Sequence, residues 1–149
     1  MNRVCSMGMV VISLLSVSMT GCSGGGGKLT GSVNLNGKPL ADARVEFHPK
    51  DNLNLSAADV RTDQQGHFEI LPRPKGGKSL PPGQYVVLVR KLVDKQGNVP
   101  DDENYGQLEA AGQLINQVPP RYGDRDFPQI NVEINSDTKE IPPFELKGG

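Results

Sequence analysis

Tryptophan is absent from this chain, and aromatic side chains make up only 5% of it. A carbohydrate platform built from stacked, exposed rings is therefore disfavoured. Cysteine is nearly absent, with Cys5 and Cys22 alone among 149 residues. Both precede residue 28, so a domain built from the remainder holds no disulfide and depends on its core and sheet hydrogen bonds. Histidine is as scarce, with only His48 and His67. A zinc centre needs three or four converging ligands, and the H-x-x-E zinc pattern is missing after either histidine. No G-x-S-x-G nucleophile elbow occurs. The acidic groups Asp101, Asp102, Glu103, Asp124 and Asp126 lack the spacing of a calcium loop. There is also no excess of one charge: 16 Lys and Arg stand against 17 Asp and Glu, a net charge of −1. A nucleic-acid partner would require a basic face. No metal, no cofactor and no nucleic acid are expected.

What is present begins with an export signal. Arg3 gives a short positive start, and residues 4–17 are mostly apolar through Val10, Val11, Ile12, Leu14, Leu15 and Val17. Small residues follow, as a secretory cleavage region requires. Met19-Thr20-Gly21-Cys22 then reads as a bacterial lipobox, with Met in place of the commoner Leu. The expectation is a lipoprotein signal peptide over 1–21, cleavage before Cys22, and lipidation of Cys22. An uncleaved anchor would need about 17–25 apolar residues, and Ser6, Ser13, Ser16 and Ser18 interrupt this run. Residues 23–27, Ser followed by four glycines, form a flexible tether. Ser23 after the lipidated cysteine points to the outer membrane, where Asp would direct retention in the inner one. The expected location is the cell envelope, with the membrane as first partner through the lipid anchor.

Residues 28–149 amount to one domain by length. Glycine (18) and proline (12) are abundant, which suits many turns and few helices. Leu29, Gly31, Val33 and Leu35 alternate with polar residues, as do Ala43, Val45 and Phe47 with Arg44, Glu46 and His48. Period two marks half-buried strands. Asn36-Gly37 between them is a tight-turn signal. A third strand is expected over 56–62, with Ala58 and Val60 on one face, and a fourth over 67–71, with Phe68 and Ile70 inward. Asp63-Gln64-Gln65-Gly66 joins the last two as a turn. The apolar run 85–89 reads as a central strand. Ile130, Val132 and Ile134 alternate again, and Phe144 with Leu146 closes the chain. Between the central strand and these last two lies a long loop, 92–127, in which a short helix is expected over 109–116 because Ala110, Ala111, Leu114 and Ile115 group on one side. About seven short strands separated by turns predict an all-β sandwich.

Three stretches resemble the carboxypeptidase regulatory-like family. Residues 31–47, GSVNLNGKPLADARVEF, are similar to the opening of such domains. Thr62-Asp63-Gln64-Gln65-Gly66-His67-Phe68 resembles their T-D-x-x-G-x-F signature, and Pro82-Gly83-Gln84-Tyr85 their P-G-x-Y signature. Pro119-Pro120-Arg121-Tyr122 before two final strands resembles small lipoproteins of the planctomycete type. The resemblance implies a seven-stranded Greek-key β-sandwich of the transthyretin (prealbumin) type over 28–149. It implies no catalysis. Turn chemistry accounts for the signature residues, and Val33, Val45, Phe47, Phe68, Tyr85 and Val87 are expected to share a core. The related hydroxyisourate hydrolase fold places a Tyr-Arg-Gly-Ser tail in its site, and this sequence reads Glu145-Leu146-Lys147-Gly148-Gly149 there.

Binding is then the expected class of function. Loops longer than about 12–15 residues are usually functional or disordered, and 92–127 carries Tyr105, Arg121, Tyr122 and Arg125. Arg and Tyr are favoured at interface hot spots, so these four are the candidate partner-binding residues. The alternative is a loop folded back on the domain over Leu108, Leu114, Ile115 and Val118. The expectation is a lipid-anchored, non-enzymatic envelope protein with a structural or protein-interaction role and an envelope protein as partner. A glycan or small-ligand binding module is the alternative, and a hydrolase is disfavoured.

Overall fold

The computed structural model describes residues 28–51, 57–71 and 80–148. The signal segment, Cys22, the tether and the first residue of the expected third strand lie outside the described residues. The described residues are mostly β with one α-helix: β1 (Leu29–Leu35), β2 (Lys38–Pro39), β3 (Arg44–Pro49), β4 (Ala58–Arg61), β5 (His67–Ile70), β6 (Gly83–Arg90), β7 (Leu92–Val93), α1 (Asp102–Ala110), β8 (Ile115–Asn116), β9 (Ile130–Ile134) and β10 (Phe144–Leu146), with a 3₁₀ turn at Pro120–Gly123. No helix among the described residues is long and apolar enough to cross a membrane.

Two sheets share the core. In the first, β1 is central: β10 runs parallel to it on one side, while β5 and the short β2 pair antiparallel with it. The second has the order β4-β3-β6-β9, all antiparallel. Together they hold seven strands of three residues or more among the described residues. The pair β7–β8 stands apart as a small two-stranded sheet.

Alternation decides which side chains meet. Val33, Val45, Phe47, Phe68, Tyr85 and Val87 are all buried in one cluster, as the sequence pattern predicts. Phe47 on one sheet touches Phe68 and Phe144 on the other, with ring centroids 5.8 and 6.4 Å apart. Thr62 is the buried polar residue among those described, and it is satisfied: its hydroxyl donates to Leu40 O at 2.6 Å and accepts from Ala43 N at 2.9 Å.

The turns follow their chemistry. Asn36 and Gly37 both take positive φ, +54° and +74°, which glycine allows freely and Asn tolerates. Asp63 Oδ1 accepts from the backbone N–H of Gln65 and of His67, at 2.9 and 2.8 Å, closing the turn before β5. The Tyr85 hydroxyl donates to Pro81 O at 2.7 Å, fixing the approach to β6. Gly31 is needed for space, since a Cβ there would lie 2.4 Å from Phe68 Cζ. Gly31→Ala is therefore expected to lower stability by about 1–3 kcal/mol, the usual range for overpacking. Urea denaturation measures this, and an unchanged midpoint would mean the ring can move aside.

The region 92–127 departs from the sequence expectation. It is not a bare loop, and its helix lies at Asp102–Ala110 rather than 109–116. Asp101 caps the helix by accepting from Asn104 N at 2.9 Å, and Asp102 with Glu103 favours the positive N-terminal end. Gly112, at φ +65°, follows the helix end, and Ile115–Asn116 pairs with Leu92–Val93 instead of continuing a helix. Of the four apolar residues expected beneath this segment, Val118 joins the core, whereas Ile115 is 56% exposed.

Candidate functional site

The most developed polar arrangement is on the outer face of the second sheet. Val45 and Phe47 point into the core, so Arg44, Glu46 and His48 point away from it. The register sets Arg44 opposite Arg61 of β4 and opposite Arg90 of β6. Three arginines thus form one row across three strands, and the next row is Asp59, Glu46 and Leu88. Like charges directly opposite are unfavourable, and the carboxylates offset them. Arg44 donates to Asp59 at 2.6 Å. Glu46 accepts a short hydrogen bond from Arg90 and lies 3.8 Å from Arg44 Nε and 3.1 Å from His48 Nε2.

These neighbours decide the charge of Glu46. Its side chain is 15% exposed. Burial opposes ionisation, but hydrogen bonds and charge from Arg90 and His48 outweigh it and hold the carboxyl below its ordinary range. Burial likewise opposes charge on Arg44 and Arg90, and Asp59 and Glu46 respectively override it, so both guanidiniums bind their protons more tightly than usual.

Helix α1 lies over this row. Asp102, Tyr105 and Glu109 are spaced i, i+3, i+7 and share one side of the helix. Asp102 accepts from Arg61 at 3.1 Å, the Tyr105 ring stands 5.4 Å from the Arg44 guanidinium carbon, and Glu109 is 3.5 Å from Arg90. One helix stripe therefore meets the three arginines in order. No residue of α1 is buried, so charge and a cation–π contact hold it rather than apolar packing. A recess of about 360 Å³ between helix and sheet is lined by Arg44, Asp59, Val60, Arg61, Asp102 and Tyr105. On the same outward face of β6, Val86 and Leu88 are only 8% and 5% exposed. Arg44 Nε and Arg90 Nε are buried without a hydrogen-bond partner among the described residues.

The four sequence-chosen residues do not form one patch. Tyr105 lies on α1 and faces the arginine row. Arg121 lies 5.0 Å from the Tyr122 ring and donates to Lys147 O, while the Tyr122 hydroxyl accepts from Lys147 N at 2.9 Å. That backbone donor, against the opposing effect of burial, lowers the tyrosine's proton affinity, with Arg121 adding to it. Arg121 and Tyr122 thus brace the stretch after β10, and Arg125 is exposed nearby in sequence. The acidic groups have structural roles: Asp101 caps α1, and Asp124 accepts from Asp126 N and Phe127 N. Among the described residues, no group of three His, Cys, Asp or Glu side chains is placed to hold a metal ion. Arg44, Arg61, Arg90 and Glu46 are missed by sequence reading. Alternation sets Arg44 and Glu46 outward, but nothing in one strand announces its register with the next. Phe127, 74% exposed, lies in the expected loop 92–127, outside the strands that hold the core phenylalanines.

No family model matches this chain, and no curated protein matches it in sequence. Among the solved structures similar to it are the following two. One is a DUF3823 family protein from Parabacteroides merdae, 16% identical, covering 81% of this chain and 44% of that one, with a TM-score of 0.38. The other, from Pseudomonas aeruginosa, is described as a "putative carbohydrate binding protein"; it is 13% identical, covers 83% of this chain and 89% of that one, and has a TM-score of 0.39. The chain thus spans less than half the length of the Parabacteroides protein.

Proposed function

We propose that this protein is a lipid-anchored, non-catalytic β-sandwich of the cell envelope that acts by structural or protein–protein contact, with the outer membrane as its expected location through Cys22 and Ser23. We read the domain as carboxypeptidase regulatory-like, a Greek-key sandwich of the transthyretin type. That reading is supported by the seven principal strands and by the structural roles of Gly37, Asp63 and Tyr85 in the three signature stretches.

One observation carries the interaction role: the arginine row Arg61–Arg44–Arg90 faces a polar helix that contributes no residue to the core. Such charge is costly to assemble for stability alone, and Arg with Tyr is the composition that interface hot spots favour. A catalytic reading fits this cluster less well. A general base works best with a pKa near the operating pH, whereas Glu46 is held in its ionised form by Arg90 and His48. The glycan alternative rests on the recess beside Tyr105. That ring already lies against Arg44, which favours a protein partner.

The test is photo-crosslinking in intact cells. A crosslinker at Gln107, on the exposed surface of α1, is expected to trap one envelope protein. The same group at Asp137, in the exposed turn after β9, should not trap it. Identical products from both positions, or none from either, would contradict the reading.

A further inference from the structure

The face beneath α1 is built more elaborately than the helix on it requires. Three arginines stand in register; Arg44 and Arg61 line the recess under α1, and Arg44 and Arg90 each have a buried Nε that makes no hydrogen bond among the described residues. Without α1 the arginine row and the row beside it carry Arg44, Arg61 and Arg90 against Glu46 and Asp59. With α1 in place, Asp102 and Glu109 turn that positive balance around. Deepening the interaction role proposed above, and resting on it, we infer that this face is a docking surface for an acidic segment of a partner protein, which α1 occupies in the partner's absence.

The helix shows what the face accepts. Its stripe offers a carboxylate to Arg61, a ring to Arg44 and a second carboxylate to Arg90, at 3.1, 5.4 and 3.5 Å. A partner segment with an acid–aromatic–acid spacing of the same kind would make the same contacts. Two further acceptors could give Arg44 Nε and Arg90 Nε the hydrogen bonds that they lack with α1 in place. The helix is also easy to displace. It buries no residue, its ion pairs are exposed to solvent and screened, and at nine residues it is too short to be stable by itself. Its base is held independently, because β7 and β8 pair on either side of the excursion that carries it. The helix can therefore leave the face while the core stays intact.

Competition by a resident segment reduces the apparent affinity for a segment arriving in solution. The experiment uses the mature lipidated chain in neutral detergent and a fluorescent synthetic peptide copying residues 101–112. Anisotropy titrations compare the wild type with a variant that vacates the face: Asp102→Ser, Tyr105→Ser and Glu109→Gln together. The variant is expected to bind the peptide on the order of ten-fold more tightly than the wild type, and the binding should weaken as salt rises. A scrambled peptide of the same composition should not reproduce it. Hydrogen exchange on the wild type gives a second readout that needs no substitution: saturating peptide should speed amide exchange in α1. Equal affinity of wild type and variant, equal binding of the scrambled peptide, or unchanged α1 exchange would overturn the inference. So would a vacated face that binds oligogalacturonate but not the peptide, which would assign it to an acidic glycan. Crosslinking from Gln107 that succeeds while the peptide fails would remove this docking mode and leave the interaction role standing.

Discussion

Phe47→Ala should cost about 3–5 kcal/mol of folding stability, the range for removing a fully buried phenylalanine. Phe47 is 0% exposed and is the ring that joins the sheets, reaching Phe68 on β5 and Phe144 on β10. Phe68 and Phe144 lie nearly parallel, with centroids 6.0 Å apart and planes 15° apart, so they cannot both turn into the vacated space without breaking their own contact. Residues 28–149 contain no cysteine, so no disulfide shares the load. Small domains have only about 5–15 kcal/mol in total, and this single change removes a large part of it. The matched control is Phe127→Ala. Phe127 is 74% exposed, and its loss should stay within about 0.5 kcal/mol. Chemical denaturation of both variants separates the two expectations, and similar losses would mean that the three core rings do not hold the sheets together.

Glu46→Gln should destabilise the protein by about 1.5–3 kcal/mol near neutral pH, the range for hydrogen bonds to charged groups. The upper figure is limited by solvent, since the side chains of Arg44 and Arg90 remain 38% and 33% exposed. The substitution preserves shape but removes the charge between two arginines and His48. It should also carry a pH signature. Burial works against ionisation of Glu46, yet its hydrogen bonds to Arg90 and His48 lower the folded pKa below the ordinary 4.5. A carboxyl lowered on folding adds stability that is complete above its unfolded value and is lost as pH falls through the folded one. The stability difference between the wild type and the Glu46→Gln variant should thus be full above pH 4.5 and shrink in more acid solution. A difference that stays constant or widens on acidification would show that Glu46 is not ionised against its arginines.

The core was within reach of the sequence because its information is local. Period two along β1 and β3 marks Val33, Val45 and Phe47 without knowledge of their partners, the continuous apolar run of β6 marks Tyr85 and Val87 as part of a central strand, and the turns at Asn36-Gly37 and 63–66 are set by their own side chains. The candidate site depends on long-range register. Arg44, Arg61 and Arg90 are far apart in the chain, and only the pairing of β4, β3 and β6 makes them neighbours. The helix was displaced for a different reason. Apolar grouping favours 109–116, but a helix held by charge has no apolar face to reveal it, and the capping contact of Asp101 decides its start. Likewise, Tyr105, Arg121 and Tyr122 are alike in composition, and only the fold separates a ring on α1 that faces the arginine row from a brace on the chain after β10.

The proposed role begins with attachment at Cys22, and intact-mass analysis of protein recovered from membranes tests it most directly, wild type beside Cys22→Ala. The account predicts a wild-type chain that begins at Cys22 and carries acyl mass, and a variant that lacks that mass and leaves the membrane fraction. A wild-type mass that still includes residues 1–21, or a Cys22→Ala protein processed and retained like the wild type, would contradict lipid anchoring and the envelope role built on it.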